Sequence, residues 1–324
     1  MIDLSICIVN WNTESVLREC LRSIYEQTHE ISFEVIVVDN ASEDGSLEMV
    51  RTFFPEVTLV ANLENRGFAA ANNQALLMGK GRYVFLLNPD TVVHDGALDR
   101  MVRFMDRNPH AGATGCKLLN EDGTVQNSVR RFLTFRMALY NNTILGRVSC
   151  FKKLSGDYKM RGFSFSRVEE VDAAGGAALM IRRTVLDEVG LLDEGYFIFM
   201  EEMDLCRRIR ARGHQIYYFP DAVITHLGGK SRRQNPKGMI LIIQKSLIRY
   251  FTKFEGARRT SHFKIFYKTL FLAEIVYGLF INVLYLAKYR TVRKNAEKAR
   301  RKWVKIEESI YFLGKESGSF FFRI

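Results

Sequence analysis

An open α/β fold is predicted for this 324-residue chain: a single, mostly parallel sheet flanked by helices, followed by a helical, basic C-terminal extension. Three observations predict it. Short β-branched apolar runs alternate with segments of 3.6-residue periodicity through the first 120 residues. The segments leaving those runs are polar or acidic, as they are where open sheets bind ligands beyond their strand ends. The charge is also divided: residues 1–229 hold 25 Lys and Arg against 30 Asp and Glu, whereas residues 230–324 hold 22 against 6.

The apolar runs Leu4 to Val9, Phe33 to Val38, Val57 to Val60, Tyr83 to Leu87 and a weaker Gly112 to Cys116 read as strands. Helical spacing fills the gaps, over Glu14 to Thr28, Ser46 to Phe54, Phe68 to Met78 and Gly96 to Asn108. Strands alternating with helices imply right-handed crossovers onto a common sheet. From Asn120 to Phe165 the pattern weakens into Gly, Asn, Arg and aromatic residues, as in a long loop carrying short elements. Order returns at Val171 to Arg182, followed by a helix Thr184 to Val189 and a loop Asp193 to Met200. A helix from about Glu202 to Arg212, stopped by Gly213, precedes a strand Ile216 to Phe219.

Composition closes several classes. With 47% hydrophobic and 26% charged residues and five prolines, the chain buries a core, which excludes disorder and collagen. Cys7, Cys20, Cys116, Cys150 and Cys206 are odd in number and form no CxxC pair, so neither a disulfide framework nor a zinc knuckle is expected, and a reducing compartment fits. The opening MIDLSICIVNW enters a strand without a basic leader, which predicts a body kept in the cytosol. The first strand–helix turn, NWNTES, lacks the glycines of a dinucleotide site. Gly228-Gly229-Lys230-Ser231 ends like a phosphate loop, but Ile224 stands where its first glycine belongs.

Residues 1–237 form the predicted body and residues 238–324 a basic, aromatic, helical extension. Thr269 to Ala287 carries one formal charge, Glu274, between Lys264 and Lys268 on one side and Lys288, Arg290, Arg293 and Lys294 on the other. Its 19 residues sit at the lower edge for a membrane span. Glu274, Asn282 and the cationic flanks favour a helix in the headgroup plane of an anionic leaflet. The alternative is a helix packed on the body or on a second copy of the chain.

Three clusters can carry chemistry. The strand Tyr83 to Leu87 runs into Asn88-Pro89-Asp90, whose oxygens suit a hard divalent cation, with Asp90 the candidate ligand; a plain strand-exit turn uses the same residues. Phe197 to Arg208 sets Glu201, Glu202 and Asp204 where an aromatic loop enters a helix. Helix-end charge and an Asp204–Arg208 pair explain part of this. They leave unexplained why the acids follow four bulky apolar residues, surroundings that raise a carboxyl towards the range of a general base. His226 follows a strand and precedes Gly228-Gly229 and the cations Lys230, Arg232 and Arg233, a composition able to close over phosphates with His226 as a metal ligand.

Taken in order, SICIVNWN, EVIVVDNASEDGS, NRGFAAANNQAL, GRYVFLLNPDT, GGAALMIRR, FIFMEEMDLCRRIRARG and PDAVITHLGGKS resemble family 2 of the inverting glycosyltransferases, which has the A-type glycosyltransferase (nucleotide-diphospho-sugar transferase) fold. The likeness covers about residues 3 to 233 and is greatest to bacterial rhamnosyltransferases of surface-polysaccharide synthesis. It implies that Asp39, Asn40 and the backbone from Val9 through Asn10 to Trp11 hold the donor's base and ribose. Asn65, Arg66, Gly67 and Asn72 would line the same pocket. Asn88-Pro89-Asp90 stands where the family writes DxD, so Asp90 and His226 would bind Mg²⁺ or Mn²⁺, with Asn88 in place of the first acid. Glu202 matches the catalytic base, supported by Glu201 and Asp204, and Gly176 and Ala177 would border the donor sugar and the acceptor.

The implied reaction is an inverting transfer from a nucleotide-sugar donor to a glycan or isoprenoid-lipid-linked acceptor, at the inner face of the cytoplasmic membrane. dTDP-rhamnose is the first-choice donor, ahead of UDP-hexoses and UDP-N-acetylhexosamines. Homo-oligomers are compatible with the chain, and no specific nucleic-acid partner is expected. A sugar-phosphate nucleotidyltransferase would need a glycine- and lysine-rich loop in place of NWNTES. A non-enzymatic membrane or nucleic-acid adaptor would use the basic tail alone, leaving the acidic strand-end loops without a purpose.

Overall fold

The computed structural model describes residues 2–142, 157–228 and 239–289, with Trp303, Glu307, Ile310 and Tyr311. By compactness the chain divides into two units, Met1–Phe132 with Tyr158–Gln234, and Leu133–Asp157 with Asn235–Ile324. The second unit therefore takes in a segment of the long loop that the sequence reading leaves with the body. Cys150, Gly229, Lys230, Ser231, Arg232, Arg233, Arg290, Arg293 and Lys294 lie outside the described residues.

In chain order the elements are β1 (Leu4–Asn10), α1 (Glu14–Gln27), β2 (Phe33–Asp39), α2 (Ser46–Phe53), β3 (Thr58–Ala61), α3 (Phe68–Met78), β4 (Tyr83–Leu87) and β5 (Thr91–Val93). They continue through α4 (Ala97–Arg107), β6 (Ala111–Leu119), β7 (Val125–Gln126), β8 (Val129–Arg130), α5 (Phe135–Asn142), β9 (Glu169–Glu170) and β10 (Ala173–Ala174). The rest are β11 (Ala178–Arg182), α6 (Arg183–Val189), α7 (Glu201–Ala211), β12 (Gln215–His226), α8 (Met239–Glu255) and α9 (Ala257–Tyr289). Predicted and observed boundaries agree within a residue or two over β1 to α4, except for β5, which the sequence reading lacks.

The main sheet runs β3-β2-β1-β4-β11-β6-β12-β5, with β7 beside β6 and β9 beside β12. Strands β3, β2, β1, β4, β6 and β12 point one way; β11 is wedged antiparallel between β4 and β6, and β5, β7 and β9 also run against their neighbours. β1 and β2 are in register to their ends, Asn10 opposite Asp39, while Leu87 at the end of β4 faces Ala178 at the start of β11. That register brings the polar strand exits to one edge. Below them lies a core of Leu4, Ile6, Ile8, Val35, Val37 and Phe85, sealed by Leu17 and Leu21 of α1 and Met101 and Met105 of α4. Arg182 fastens β11 to the end of α4, donating to the carbonyls of Ala111, Met105 and Asn108.

Two differences from the sequence reading have physical causes. β12 extends through Pro220 to His226, because register shifts between Phe219 and Val223 absorb a residue that cannot donate to the ladder. β5 is three residues long, too short for a period, yet pairing Thr91 with His226 joins two segments 135 positions apart. Cys7, Cys20, Cys116 and Cys206 are buried free thiols, as the absence of a disulfide framework requires.

The second unit packs aromatic faces. Phe135 lies 4.5 Å from Phe251 and 4.6 Å from Phe263, and Phe263 stacks on Tyr267 at 5.2 Å, between ring centroids.

Gly115 of β6 is where the short strand β10 crosses: a Cβ there would come within 2.6 Å of the Ala174 Cβ. Gly115→Val is expected to destabilise the first unit by about 1–3 kcal/mol through overpacking, read as a lower urea midpoint with unchanged slope. A midpoint equal to that of the parent chain would show the crossing to be loose.

Candidate active site

Asp39 ends β2 with both carboxylate oxygens engaged. Asn10 donates its Nδ2 to Oδ2 at 2.7 Å, and the Ser42 backbone N–H donates to Oδ1 at 2.8 Å. Asn10 is wholly buried and its Oδ1 accepts from the Thr13 hydroxyl, so the turn NWNTES is built around a side chain rather than around glycine. Asn40 bridges the next two loops. Its Nδ2 donates to the Gly67 carbonyl at 3.0 Å and to Asn65 Oδ1 at 3.3 Å, and its Oδ1 accepts from Asn62 Nδ2 at 2.9 Å. Val9 is buried, Trp11 half-buried and Arg66 exposed at the mouth. Asn72 is turned back within α3, donating to the Phe68 carbonyl.

Gly67 begins α3 at φ +84°, and a Cβ on it would fall 2.6 Å from the Phe197 carbonyl oxygen. The same oxygen accepts from the Phe68 N–H at 2.6 Å. The loop that carries Phe197 is thereby bonded to the mouth of the strand-end pocket, a close approach only glycine permits.

The strand-end triplet and His226 come together through β5 and β12. His226 Nε2 lies 3.3 Å from Asp90 Oδ1 and 3.3 Å from Asn88 Nδ2. Gln126 sets the ring: its Nε2 donates to Asn120 Oδ1 at 2.9 Å and to the His226 carbonyl at 3.3 Å, which turns its Oε1 to His226 Nδ1 at 2.7 Å. Nδ1 therefore donates to Gln126, and Nε2 is turned to Asp90 and Asn88. Imidazole and carboxylate are donor types that Mg²⁺ or Mn²⁺ accepts, while the Asn88 amide nitrogen, not its oxygen, faces the ring. Among the described residues no cluster of three or more His, Cys, Asp or Glu exists.

Glu201 and Glu202 open α7 from a backbone in strain, since Phe199 and Met200 have φ of 71° and 74°. With Asn12 and Ala41 at the strand-end pocket, four of the five non-glycine residues at positive φ among the described residues border this region. Glu201 is buried, Glu202 half-buried, and the Oε2 of each is enclosed with no hydrogen-bond partner among the described residues. Burial raises both carboxyls above the usual glutamate range; the Glu202 charge raises Glu201 further, while the Arg130 guanidinium pulls Glu202 back. Asp204 works differently. Fully buried, it accepts from the Arg208 Nε at 2.6 Å and the Tyr196 hydroxyl at 3.2 Å. Arg208 in turn donates to the carbonyls of Val189, Gly190 and Leu191, so Asp204 braces the loop before the two glutamates.

The segment Gly175 to Ala178 joins the two halves. The Asn88 N–H donates to the Ala177 carbonyl at 2.9 Å, and Gly176 lies so close to Glu202 that a Cβ on it would be 3.3 Å from the Glu202 Cβ. The triplet carrying Asp90 and the helix start carrying Glu202 thus flank two successive residues. Gln126, Arg130, Ser42 and Asn62 escape the sequence reading. Gln126 and Arg130 fall in the weak Asn120 to Phe165 stretch, where no period or motif marks them, and Ser42 is hidden inside the polar ASEDGS turn.

The sequence model of the glycosyltransferase like family 2 matches residues 3–242. A rhamnosyltransferase of Mycobacterium tuberculosis acting on N-acetylglucosaminyl-diphospho-decaprenol is 27% identical over 224 residues, 65% of this chain and 72% of that protein. A putative teichuronic acid biosynthesis glycosyltransferase of Bacillus subtilis, TuaG, is 30% identical over 150 residues, 44% of this chain and 59% of that protein. Among solved structures, the mannosyltransferase PcManGT of Pyrobaculum calidifontis, in complex with GDP-Man and Mn²⁺, shares the fold at a TM-score of 0.56 and 17% identity, over 99% of this chain and 87% of that one. GalNAc-T7, with UDP, GalNAc and Mn²⁺, does so at 0.52 and 18%, over 70% and 44%. The ordered motifs, the sheet that gathers their polar ends and a family match across most of the first unit lead to one conclusion: this chain belongs to glycosyltransferase like family 2.

Proposed function

We propose that the chain is an inverting, divalent-metal-using glycosyltransferase of cell-surface glycan synthesis, with dTDP-rhamnose as donor and a lipid-linked glycan as acceptor. The observation that carries this reading is the meeting of Asn88 and Glu202 on Gly176-Ala177, which supports a strand end and a half-buried carboxylate serving one site. The rhamnosyl donor and the lipid-linked acceptor are supported by the mycobacterial relative alone, and a UDP-hexose or UDP-N-acetylhexosamine is the second reading. The acceptor class in turn supports a cytoplasmic protein working at the inner face of the membrane.

Asp39, Asn10 and Asn40 would grip the nucleoside, their mutual hydrogen bonds holding the pocket's shape before the donor arrives. Asp90, His226 and Asn88 would hold Mg²⁺ or Mn²⁺, which when bound supplies positive charge to the departing diphosphate. Gly176, lacking a side chain, lets its backbone pack close against Glu202 and with Ala177 would border the sugar and the acceptor. Glu202 takes the acceptor hydroxyl's proton as the new bond forms opposite the diphosphate, and the anomeric configuration inverts. Its raised pKa makes it a stronger base than an exposed glutamate, and Arg130 opposes part of that rise.

Replacing Glu202 by Gln is expected to lower kcat by about 10²–10⁴ while leaving nucleoside diphosphate affinity within a factor of about two. Equal loss of both, measured by initial rates and calorimetry, would reassign Glu202 to binding. The acid limb of kcat/KM against pH should lie above the usual glutamate range, because only the ionised carboxylate accepts the proton. Arg130→Ala removes the charge that lowers this pKa, so the limb moves to higher pH; a limb unmoved or shifted lower would exclude Glu202 as its source. Gln126→Leu should weaken Mn²⁺ binding about 10–100-fold, as loss of an outer partner does for other metal-bound histidines, measured by paramagnetic titration of the free protein. Unchanged Mn²⁺ affinity would remove His226 from the metal's ligands.

A further inference from the structure

Between Ile265 and Leu284 the helix α9 is built inside out. Lys268 and Asn282 are buried and Glu274 is half-buried, and at 3.6 residues per turn the three fall within an arc of about 120°. The opposite face is apolar and uncovered: Ile265 is 72% exposed, Phe266 54%, Val276 51% and Phe280 60%, with Tyr277 and Leu284 beside them. The charged residues from 264 to 284 are Lys264, Lys268 and Glu274, and none of them is exposed. In water a helix does the reverse, covering its apolar stripe and leaving charge outside. A hydrocarbon surrounding selects the pattern seen, because polar side chains in it turn towards protein.

We propose that the outer face of α9 is seated among the acyl chains of an anionic bilayer, with the helix inserted rather than lying in the headgroup plane. Length agrees: the 20 residues from Ile265 to Leu284 rise about 30 Å, the thickness of the hydrocarbon layer. Ala257–Leu284 is long and apolar enough to cross a membrane by length and composition. Charge agrees as well. A helix in the headgroup plane carries cations along one whole face. Here Arg258, Arg259 and Lys264 precede the apolar segment and Lys288, Arg290, Arg293 and Lys294 follow it, at the two ends where headgroups would meet them. The in-plane helix expected from composition gives way because burial puts the polar groups on the covered side. The inference does not depend on glycosyl transfer by the first unit.

The test uses the full chain with vesicles of phosphatidylglycerol and phosphatidylethanolamine. An inserted helix keeps the protein on floated vesicles after a wash in about 1 M salt, where the Debye length is about 3 Å. Phe280→Trp should be quenched more by lipids brominated deep in the acyl chain than by lipids brominated near the headgroup. Val276→Asp with Phe280→Asp should cut the salt-resistant fraction by at least about tenfold, since two acids would face hydrocarbon. Circular dichroism and thermal unfolding of that variant, matched to the parent, establish that it folds. Release by salt, or stronger quenching near the headgroup, would overturn insertion. So would a soluble dimer lost in the double variant with no vesicle binding, which would give the face to a second copy of the chain.

Discussion

A pair of carboxyl groups nearly cut off from water constrains everything around it. Glu201 and Glu202 begin α7 side by side, each with an enclosed, unpartnered oxygen, an arrangement that burial alone disfavours. The surroundings offset this in three ways. The helix N-terminus presents the positive end of its dipole. Arg130 contributes opposite charge. Asp204 and Arg208 lock the preceding loop to the end of α6, so that Phe199 and Met200 hold their left-handed backbone. Strain and buried charge concentrated at one point mark a place shaped for chemistry rather than for stability.

The fold was legible wherever the sequence repeats a period. Seven-residue strands such as Leu4–Asn10 and Phe33–Asp39, and helices such as Ala97–Arg107, announce themselves because an apolar run or helical spacing continues long enough to exceed chance. β5 and β9 do not, because strands of two or three residues are defined by their partner, not by their own composition. The antiparallel setting of β11 is likewise a tertiary fact. Nothing within ALMIR says which neighbours it will meet.

The site was legible to the extent that its residues sit in polar strand exits. Asp39, Asn88, Asp90 and His226 stand out because a loop that only turns needs no acids or imidazole there. Residues that act through another residue leave no such trace. Gln126 is an ordinary polar side chain until β7 is paired with β6 and the amide reaches His226. Asp204 reads as one of three equal acids, and its pairing with Arg208 inside the core becomes visible only when burial is known.

The hydrogen bond from Phe68 to the Phe197 carbonyl, made possible by Gly67, has an evolutionary consequence. One end of that bond belongs to the opening of α3 and the other to the stretch leading into Glu202. Neither can be recut to fit a new molecule without disturbing its counterpart. Exchanging the Asp193 to Met200 stretch between relatives transplants only half of a joint, so hybrids that keep residues 65–68 and 193–200 from one parent are the viable ones. Changes in the two segments are therefore expected to travel together along a lineage.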